Sequence, residues 1–421
     1  MTSSSTEFVE ALEILLHGQR IAVQTHYSGG KNLLAFDPDY SDPFRDSRAT
    51  FTLTQRSNKI YLSQPRVHRF RLAPVLSNLL PEGALREWMT QSLKVHLDNE
   101  FALLAFAGSN LPGALIARPL LSETIPAWAL SSGDRIEAIP LTSGLKQTHF
   151  SLAGVQMKFS SAYRDGRYLI GSSAKNGDDW IIKTPSTIHP FVPENEYSVM
   201  KLAEAVGIDI PQIKLIPLKD INKLPDIRLP DESWAYGIKR FDRSSEGRIH
   251  TEDFAQIFEL YAHDKYGKVN YEQIGRVVYQ YSENGLADLQ QMARRLLVNV
   301  LLANGDAHIK NWSVIYPDRI HPRLAPAYDI VSTLPYISGE DKAALNMARQ
   351  KEWYRMTLEH FKIWTQRIGA PWPAVRVHLE DVLEKARDNW PTLLETLPMN
   401  EVQKNILSNH WEKLEPVFRI K

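Results

Sequence analysis

The hydrophobic pattern changes its period along the chain, and this change limits the folds that are open to it. Before residue 240, apolar runs have the length of strands, as at Tyr168-Leu169-Ile170, Trp180-Ile181-Ile182-Lys183 and Ala235 to Lys239. An amphipathic helix is expected between them at Pro193 to Val206. Later stretches with helical spacing are Glu252 to Ala262, Leu286 to Leu302, Trp353 to Ile368, Trp372 to Asn389 and Met399 to Leu414. A strand-rich part before a helix-rich part predicts an α+β fold of two lobes.

The first 120 or so residues resemble a small mixed unit. Glu7 to Leu16 has the apolar spacing of a helix, and Ala84 to His96 follows a loop containing Pro and Gly in the same way. Ile21 to His26 and Lys59 to Ser63 alternate as strands do. Residues 120–146 show little periodicity and are read as a connection. We therefore predict three units, at residues 1–120, 121–240 and 241–421.

Composition argues against several classes of protein. The 421 residues hold 49 Lys and Arg against 49 Asp and Glu, which disfavours strong autonomous binding to nucleic acid. The absence of cysteine removes disulfides, thiolate zinc sites and a cysteine nucleophile. The N-terminus lacks the pattern of a signal peptide, and no stretch approaches the roughly 18 apolar residues of a membrane span. We expect a cytoplasmic protein with no membrane partner.

The segment Leu301 to Trp312 carries a pattern with chemical meaning. An apolar helix ends at a glycine and opens into Asp306, four residues separate Asp306 from Asn311, and Asp329 lies downstream. Phosphoryl transfer needs one Asp that accepts a hydroxyl proton, and an Asn and a second Asp that hold Mg²⁺. The Asp-x4-Asn spacing matches the catalytic loop of protein kinases. The alternative is structural, because Asn-Gly-Asp also favours a turn.

Lys183 ends an apolar strand, and Glu196 lies thirteen residues later near the start of the predicted helix. A lysine in this place can reach the phosphates of a nucleotide, and a glutamate from the next helix can hold its ammonium. The alternative is a surface lysine at a strand end and a glutamate favoured by the helix dipole.

Two further segments fit a nucleotide site less specifically. His149 to Phe159 precedes the strand of Lys183, and small residues there would let backbone N–H groups approach phosphate, although a hairpin edge is the plainer reading. Tyr236 to Arg243 could offer backbone groups to an adenine edge, or form a charged turn. The order of the segments supports a nucleotide site, because it is the order found in the ATP site of a bilobal kinase. Along the chain come a small-residue loop, a strand Lys, a helix Glu, a connecting strand and an Asp-x4-Asn loop.

The chain resembles the HipA family of serine/threonine kinases, the toxins of bacterial toxin–antitoxin systems. The stretches that carry this resemblance extend over nearly the whole chain. They are Phe36-Asp37-Pro38-Asp39-Tyr40, Asn78-Leu79-Leu80-Pro81-Glu82-Gly83, Ser151 to Lys158, Ile181-Ile182-Lys183, Glu194-Asn195-Glu196-Tyr197, Lys239 to Arg243, Glu252 to Gln256, Gly305 to Asn311 and Leu324 to Asp329.

The resemblance implies a bilobal protein-kinase-like fold, with a mixed-sheet N-terminal lobe, an added small N-terminal subdomain and a mostly helical C-terminal lobe. Asp306 would be the catalytic residue, Asn311 and Asp329 would hold Mg²⁺, Glu196 would support the site, and Ser151 would be autophosphorylated. The family's loop has a polar residue before its Lys where this chain has Met157. The implied ATP contacts are Ser151, Leu152, Ala153, Gly154, Val155, Gln156, Met157, Lys158, Lys183, Gly237, Ile238, Lys239, Arg240, His308, Lys310, Asn311, Tyr328 and Asp329.

The resemblance also implies a function and partners. ATP and Mg²⁺ would be the cofactors of a protein kinase that inhibits growth by phosphorylating a translation component, for example an aminoacyl-tRNA synthetase. A HipB-like DNA-binding antitoxin would be the partner, through which the protein would reach operator DNA and the nucleoid and repress its own operon. Two alternatives stay open at this point: a small-molecule phosphotransferase, which shares the Asp-x4-Asn loop, and a catalytically dead corepressor.

Overall fold

The computed structural model describes residues 6–45, 47–142, 156–164, 166–170, 179–225 and 227–420. Two sheets, each accompanied by helices, precede a helical region, and all the parts pack together. In the described ranges, no helix is both long enough and apolar enough to cross a bilayer.

The N-terminal unit is built on an antiparallel sheet with apolar residues on both faces. Its chain segments are β1 (Thr6–Val9), β2 (Ala11–Leu16), β3 (Gln19–Tyr27), β4 (Lys31–Phe36), β5 (Arg66–Arg69), β6 (Leu115–Leu120) and β7 (Ile139–Thr142). The strand order is β5-β4-β3-β2-β6, and β1 pairs with β7 apart from this sheet. The helices of the unit are α1 (Pro38–Ser41), α2 (Leu53–Ser57), α3 (Pro74–Ser77), α4 (Gly83–Leu93) and α5 (Glu100–Ala107).

The middle of the chain forms a six-stranded sheet that carries the strand lysine. The strands are β8 (Lys158–Arg164), β9 (Arg167–Ile170), β10 (Asp179–Lys183), β11 (Ile213–Pro217), β12 (Ile221–Asn222) and β13 (Trp234–Lys239). They lie in the order β11-β13-β10-β8-β9-β12, with β12 parallel to β9 and the other pairs antiparallel. Helix α6 (Val192–Ala205) packs against β13 and β11 and joins this sheet to the main core.

The C-terminal region is helical around a buried central helix, α9. Its short strands are β14 (Arg243–Ser244), β15 (Gly247–Arg248), β16 (His250–Asp253), β17 (Ser313–Tyr316), β18 (Arg323–Leu324), β19 (Lys342–Met347) and β20 (Gln350–Glu352). Its helices are α7 (Phe254–Ile257), α8 (Tyr271–Tyr281), α9 (Gly285–Leu301), α10 (Leu358–Ile368), α11 (Trp372–Thr396) and α12 (Glu401–Lys413). α8 and α11 cover α9, which is buried over most of its second half and therefore fixes the point where the loop after it begins.

Most predicted elements are confirmed, and three are wrong for identifiable reasons. Glu7 to Leu16 forms β1 and β2 instead of a helix, because β2 buries Leu12 in one apolar cluster and Ala11 in another, so its two faces do not alternate. Lys59 to Ser63 ends in a 3-10 turn, not a strand. Glu252 to Ala262 is not one helix: β16 runs through Asp253, whose carboxylate then caps the short α7.

The N-terminal unit touches the C-terminal region through buried polar contacts. The backbone N–H of Thr50 donates to the carbonyl of Arg319 at 2.8 Å, and the ring of His250 bonds the carbonyl of Phe51 at 2.7 Å. The carboxylate of Glu252 accepts from the backbone N–H of Leu53 at 3.0 Å and from the Tyr316 hydroxyl, both on Oε2. Oε1 of Glu252 is buried without a partner among the described residues. A charge at this interface therefore has poor compensation.

Burial raises the pKa of Glu252 to about 7, despite the hydrogen bond from Tyr316. The folded chain then binds more protons than the unfolded chain between an ordinary glutamate pKa and about pH 7, so its stability falls as pH rises through that window. We predict that Glu252→Gln keeps both hydrogen bonds on its carbonyl oxygen and removes this decline. Relative to that of the parent, the free energy of unfolding of the variant should rise by about 3 kcal/mol between pH 5 and pH 8.

Denaturant unfolding at several pH values measures this effect, with the exposed Glu412→Gln as the matched control. Parallel pH profiles for the parent and Glu252→Gln would contradict the prediction.

Candidate active site

The loop after α9 is shaped by its own side chains. Asn304 is buried, its amide nitrogen donates to Oδ1 of Asn299 at 2.9 Å, and its Oδ1 accepts the backbone N–H of Asp306 at 3.1 Å. The N–H of Gly305 donates to the hydroxyl of Thr333 at 2.9 Å. A Cβ at position 305 would lie 2.1 Å from Oε1 of Glu340, so a larger residue there would displace the Glu340 side chain. These contacts hold the backbone of Asp306 while leaving its carboxylate at the surface of the cleft.

Asp306 is the accessible acid of the site, with 45% of its side chain exposed. The amide nitrogen of Asn311 donates to its backbone carbonyl at 2.8 Å, which keeps the two predicted residues adjacent and leaves the Asn311 oxygen as an acceptor. The hydroxyl of Tyr266 donates to Oδ1 of Asp306. A hydroxyl is therefore already seated on the carboxylate that would have to bind a substrate hydroxyl.

Lys183 is the centre of the charged cluster. It ends β10 almost completely buried, and its ammonium donates to Oε1 of Glu196 on α6 and to Oδ1 of Asp329. The ring of Tyr236 lies 5.3 Å from the ammonium. Burial raises the pKa of Glu196. The positive charge of Lys183 offsets part of this rise, because it favours the ionised carboxylate. The predicted strand Lys, helix Glu and second Asp thus converge in space.

Lys158 joins this cluster from the neighbouring strand. β8 and β10 pair so that Lys158 lies directly opposite Lys183, and like charges in that position repel. Asp329 offsets this repulsion, because its Oδ2 accepts Lys158 at 2.7 Å while its Oδ1 accepts Lys183. Burial alone would raise the pKa of Asp329, but the two ammonium groups outweigh it and hold that pKa well below its usual range.

The donor set at this point fits Mg²⁺ and phosphates. Asp329 and Asn311 supply a carboxylate and an amide oxygen, the hard oxygen ligands that Mg²⁺ accepts alongside substrate phosphates. Asp329 sits at a φ of +55°, a strained value for a residue other than glycine, and such strain is common at functional positions. Lys158 is half exposed, so it can leave Asp329 when a divalent cation arrives, whereas Lys183 is buried.

His308 and Lys310 lie in the Asp306 loop and have different neighbours. The ring of His308 packs on that of Tyr266, and its Nε2 lies 3.9 Å from Oδ1 of Asp306. His308 is buried, and burial lowers its pKa to about 4, so the ring is neutral at physiological pH. The ammonium of Lys310 bonds both the carbonyl and the Oδ1 of Asn78, at 3.0 and 2.9 Å. It also pairs with Glu82 at 3.0 Å and Asp253 at 3.1 Å. The loop is therefore tied to the N-terminal unit through Lys310, and the predicted ATP contacts of both residues stay predictions.

Gly237 to Lys239 lie in β13, which pairs with β11 on one side and β10 on the other. Their ladder groups are committed to the sheet, and a Cβ at position 237 would lie 2.3 Å from Ile216. Arg240 uses all five guanidinium donors on Asp242, Asn110, Ser160 and Leu111. Any contact of Gly237, Ile238, Lys239 or Arg240 with an adenine must therefore use other groups than those the strand pairing and this network occupy.

The predicted phosphate loop is described only at its end. Ser151, Leu152, Ala153, Gly154 and Val155 lie outside the described residues. The carbonyl of Met157 accepts the backbone N–H of Thr184 at 2.9 Å, and its own N–H donates to the Thr184 hydroxyl at 3.3 Å. Met157 is buried with Ala84 and Phe159. The methionine that distinguishes this chain thus serves as an apolar contact with α4 of the N-terminal unit. Tyr328 packs its ring on Phe241 and donates its hydroxyl to the carbonyl of Lys310 at 3.0 Å.

Several residues of the site were not predicted. Tyr266 on Asp306, Glu340 beside Gly305, and the pair Glu82 and Asp253 around Lys310 come from segments distant in sequence from the loop. Glu82 and Asp253 lie within stretches that carry the family resemblance, so the sequence marks their positions but does not indicate that they pair with Lys310. Tyr266 had no sequence signal.

The chain is similar to known proteins over nearly its whole length. The model of the HipA-like C-terminal domain matches residues 150–390, and the model of the HipA N-terminal domain matches residues 12–118. Y4dM of Sinorhizobium fredii, a protein named as a kinase of unestablished activity, is 36% identical over 97% of this chain and 98% of its own length. The serine/threonine-protein kinase toxin HipA of Shewanella oneidensis is 28% identical over 65% of this chain and 66% of that protein.

A solved structure matches as well. The Shewanella oneidensis complex of HipA, HipB and operator DNA aligns with a TM-score of 0.68 at 20% identity, covering 96% of this chain and 95% of that one. The two-lobed α+β fold with its helical C-terminal part is that of a HipA-type kinase, which confirms the predicted fold class. This chain belongs to the HipA family of serine/threonine kinase toxins.

Replacing Lys310 tests the link between the loop and the N-terminal unit. Lys310→Met leaves Glu82 and the buried Asp253 without their cation, so we predict a loss of about 3 kcal/mol or more in the free energy of unfolding. Chemical denaturation measures it. Adding Glu82→Gln to Lys310→Met should cost less than the sum of the single changes, because the second removes a charge that the first left unpaired. Strict additivity would show that the ion pairs do not couple the two parts.

Proposed function

We propose that this protein is an ATP- and Mg²⁺-dependent serine/threonine protein kinase that acts as the toxin of a HipBA-like module. The observation that carries the proposal is the position of the buried Lys183 ammonium, which is shared between Glu196 and Asp329. In kinases the pairing of a strand lysine with a helix glutamate sets the lysine against the nucleotide phosphates. Membership of the HipA family supports the same activity.

The roles of the side chains follow from their placement. Asp306 orients the substrate hydroxyl and accepts its proton, which its exposed carboxylate permits. Lys183, held by Glu196, binds phosphate oxygens, and Lys158 joins it once released from Asp329. Asn311 and Asp329 would hold the metal ion. ATP with Mg²⁺ supplies the transferable phosphoryl group and neutralises its charge.

The regulatory parts of the proposal rest on the family. A HipB-like antitoxin would bind this chain and connect it to operator DNA, in keeping with the matched Shewanella complex, which contains HipA, HipB and operator DNA. The substrate would be a component of translation, for example an aminoacyl-tRNA synthetase. Phosphate on Ser151 would add about −1.5 to −2 charges where ATP phosphates bind, so autophosphorylation would oppose ATP binding.

Purified protein with labelled ATP tests the activity. We predict that the parent transfers label to protein, that Asp306→Ala loses transfer by about a hundredfold or more while still binding nucleotide, and that Ser151→Ala keeps transfer but loses label on its own chain. Nucleotide binding measured in parallel separates loss of chemistry from loss of ATP. Normal transfer by Asp306→Ala would remove that residue from its role, and a parent that transfers nothing with Mg²⁺ present would favour the dead corepressor. Label on an aminoglycoside or another small cation, without label on protein, would favour the small-molecule phosphotransferase.

Tyr266 supplies a second test of the same site. Its hydroxyl occupies Oδ1 of Asp306, so substrate must displace it, and Tyr266→Phe removes that competitor. We predict a rise of about threefold to tenfold in kcat/KM for a protein substrate, which corresponds to about 1 kcal/mol, the net value of a typical hydrogen bond. The control is Tyr281→Phe, which removes the hydroxyl of another partly exposed tyrosine, at the end of α8. A fall in kcat/KM on Tyr266→Phe would mean that the hydroxyl assists catalysis instead.

A further inference from the structure

A polar pocket lies apart from the Lys183 cluster, where three elements of the C-terminal region meet. The residue before α8, the hairpin of β19 and β20, and the end of α10 enclose a cavity of about 310 Å³. Its lining residues are Asn270, Glu272, Asn346, Arg349 and Arg367. All five side chains end in a charged or amide group, so the pocket can recognise a ligand by charge and hydrogen bonds.

Glu272 connects two of the elements that line this pocket, α10 and the hairpin turn. It is buried, and its Oε1 accepts from Arg367 at 2.7 Å and from the backbone N–H of Ala348 at 2.9 Å. The first contact fixes a guanidinium at the pocket wall, and the second pins the hairpin turn. Arg367 pairs with Oε1 of Glu272, whereas Oε2 is buried without a partner among the described residues. The exposed Arg349 has no ion pair in the same part of the chain. The pocket has an excess of positive charge.

The hairpin turn presents an arginine at a position that normally favours glycine. Met347 pairs with Gln350, so the turn consists of Ala348 and Arg349, at φ values of +52° and +66°. Such two-residue turns are usually Asn-Gly or Gly-Gly, because positive φ is costly for other residues. The turn keeps a charged side chain here despite the backbone strain, and the bond to Glu272 holds the backbone in this conformation.

The pocket is connected to the Asp306 loop through two segments of the chain. The hydroxyl of Tyr271, next to Glu272, donates to the carbonyl of Ala307 at 2.9 Å, one residue beyond Asp306. From the other direction, Glu340 touches Gly305 and is followed within two residues by β19. The start of α8 thus contacts the Asp306 loop through Tyr271 and lines the pocket with the next residue, Glu272.

We propose that this pocket binds the carboxylate of an acidic side chain of the protein substrate, a few residues from the phosphoacceptor, with Arg349 and the fixed Arg367 as its anion-binding groups. This inference rests on the proposed kinase function and adds a substrate class to it. Arginine suits the role because its planar fork matches the two oxygens of a carboxylate.

The test separates binding from catalysis. Two short labelled peptides without Ser, Thr or Tyr, one containing Glu and the other Gln at the same positions, are titrated into the full-length protein. We expect the Glu peptide to bind the parent and Asp306→Ala alike, Arg349→Gln to weaken it about tenfold or more, and the Gln peptide to bind poorly to all three. Arg355→Gln, which removes an exposed arginine just after the hairpin, should bind as the parent does.

Kinetics with serine-containing versions of the same peptides complete the test. Arg349→Gln should raise KM for the acidic peptide with kcat unchanged, and should not affect the neutral peptide. Equal binding of the Glu and Gln peptides, or equal losses in Arg349→Gln and Arg355→Gln, would overturn the pocket assignment. If the Glu peptide binds through Arg349 while no peptide and no protein, the chain itself included, receives phosphate, the anion site stands and the proposed kinase activity fails.

Discussion

The buried ammonium of Lys183 is the interaction on which the rest of the site depends. A lone buried cation would be very costly, so it requires partners that the fold must bring from elsewhere. Glu196 comes from α6, and Asp329 comes from the segment after the Asp306 loop, far along the chain. Because the three charges belong to three elements, the sheet, the helix and the C-terminal region must assume one arrangement to satisfy them.

The same requirement recurs where the N-terminal unit meets the helical region. Lys310 needs Glu82 and Asp253, and Glu252 needs Leu53 and Tyr316. Each of these contacts is costly if one partner is removed, which makes the position of the Asp306 loop depend on residues about 220 positions earlier, such as Glu82. The N-terminal unit is thus a structural part of the candidate active site, although it supplies neither Asp306 nor Lys183.

The parts of the structure that could be predicted from sequence are those with local or ordered signals. The long helices could be predicted because their apolar residues recur with a helical period. The main residues of the site could be predicted because they occur in the order of a kinase site: Lys183, Glu196, Asp306, Asn311 and Asp329. The position of Lys158 beside Asp329 could not be predicted, because it depends on the register of β8 against β10, which no local pattern encodes. The sequence of the first strands predicts a helix because β2 buries both of its faces, which removes the alternation that indicates a strand. Tyr266 and the pocket around Arg349 arise from long-range packing and had no local signal.

A crystal structure of the full-length protein with Mg²⁺ and a non-hydrolysable ATP analogue tests the central claim most directly. We predict that phosphate oxygens lie within hydrogen-bond distance of the Lys183 ammonium, that the metal ion contacts Asp329 and Asn311, and that Lys158 has left Asp329. A nucleotide bound elsewhere, or bound with the contacts of Lys183 to Glu196 and Asp329 broken and no phosphate near its ammonium, would contradict the account.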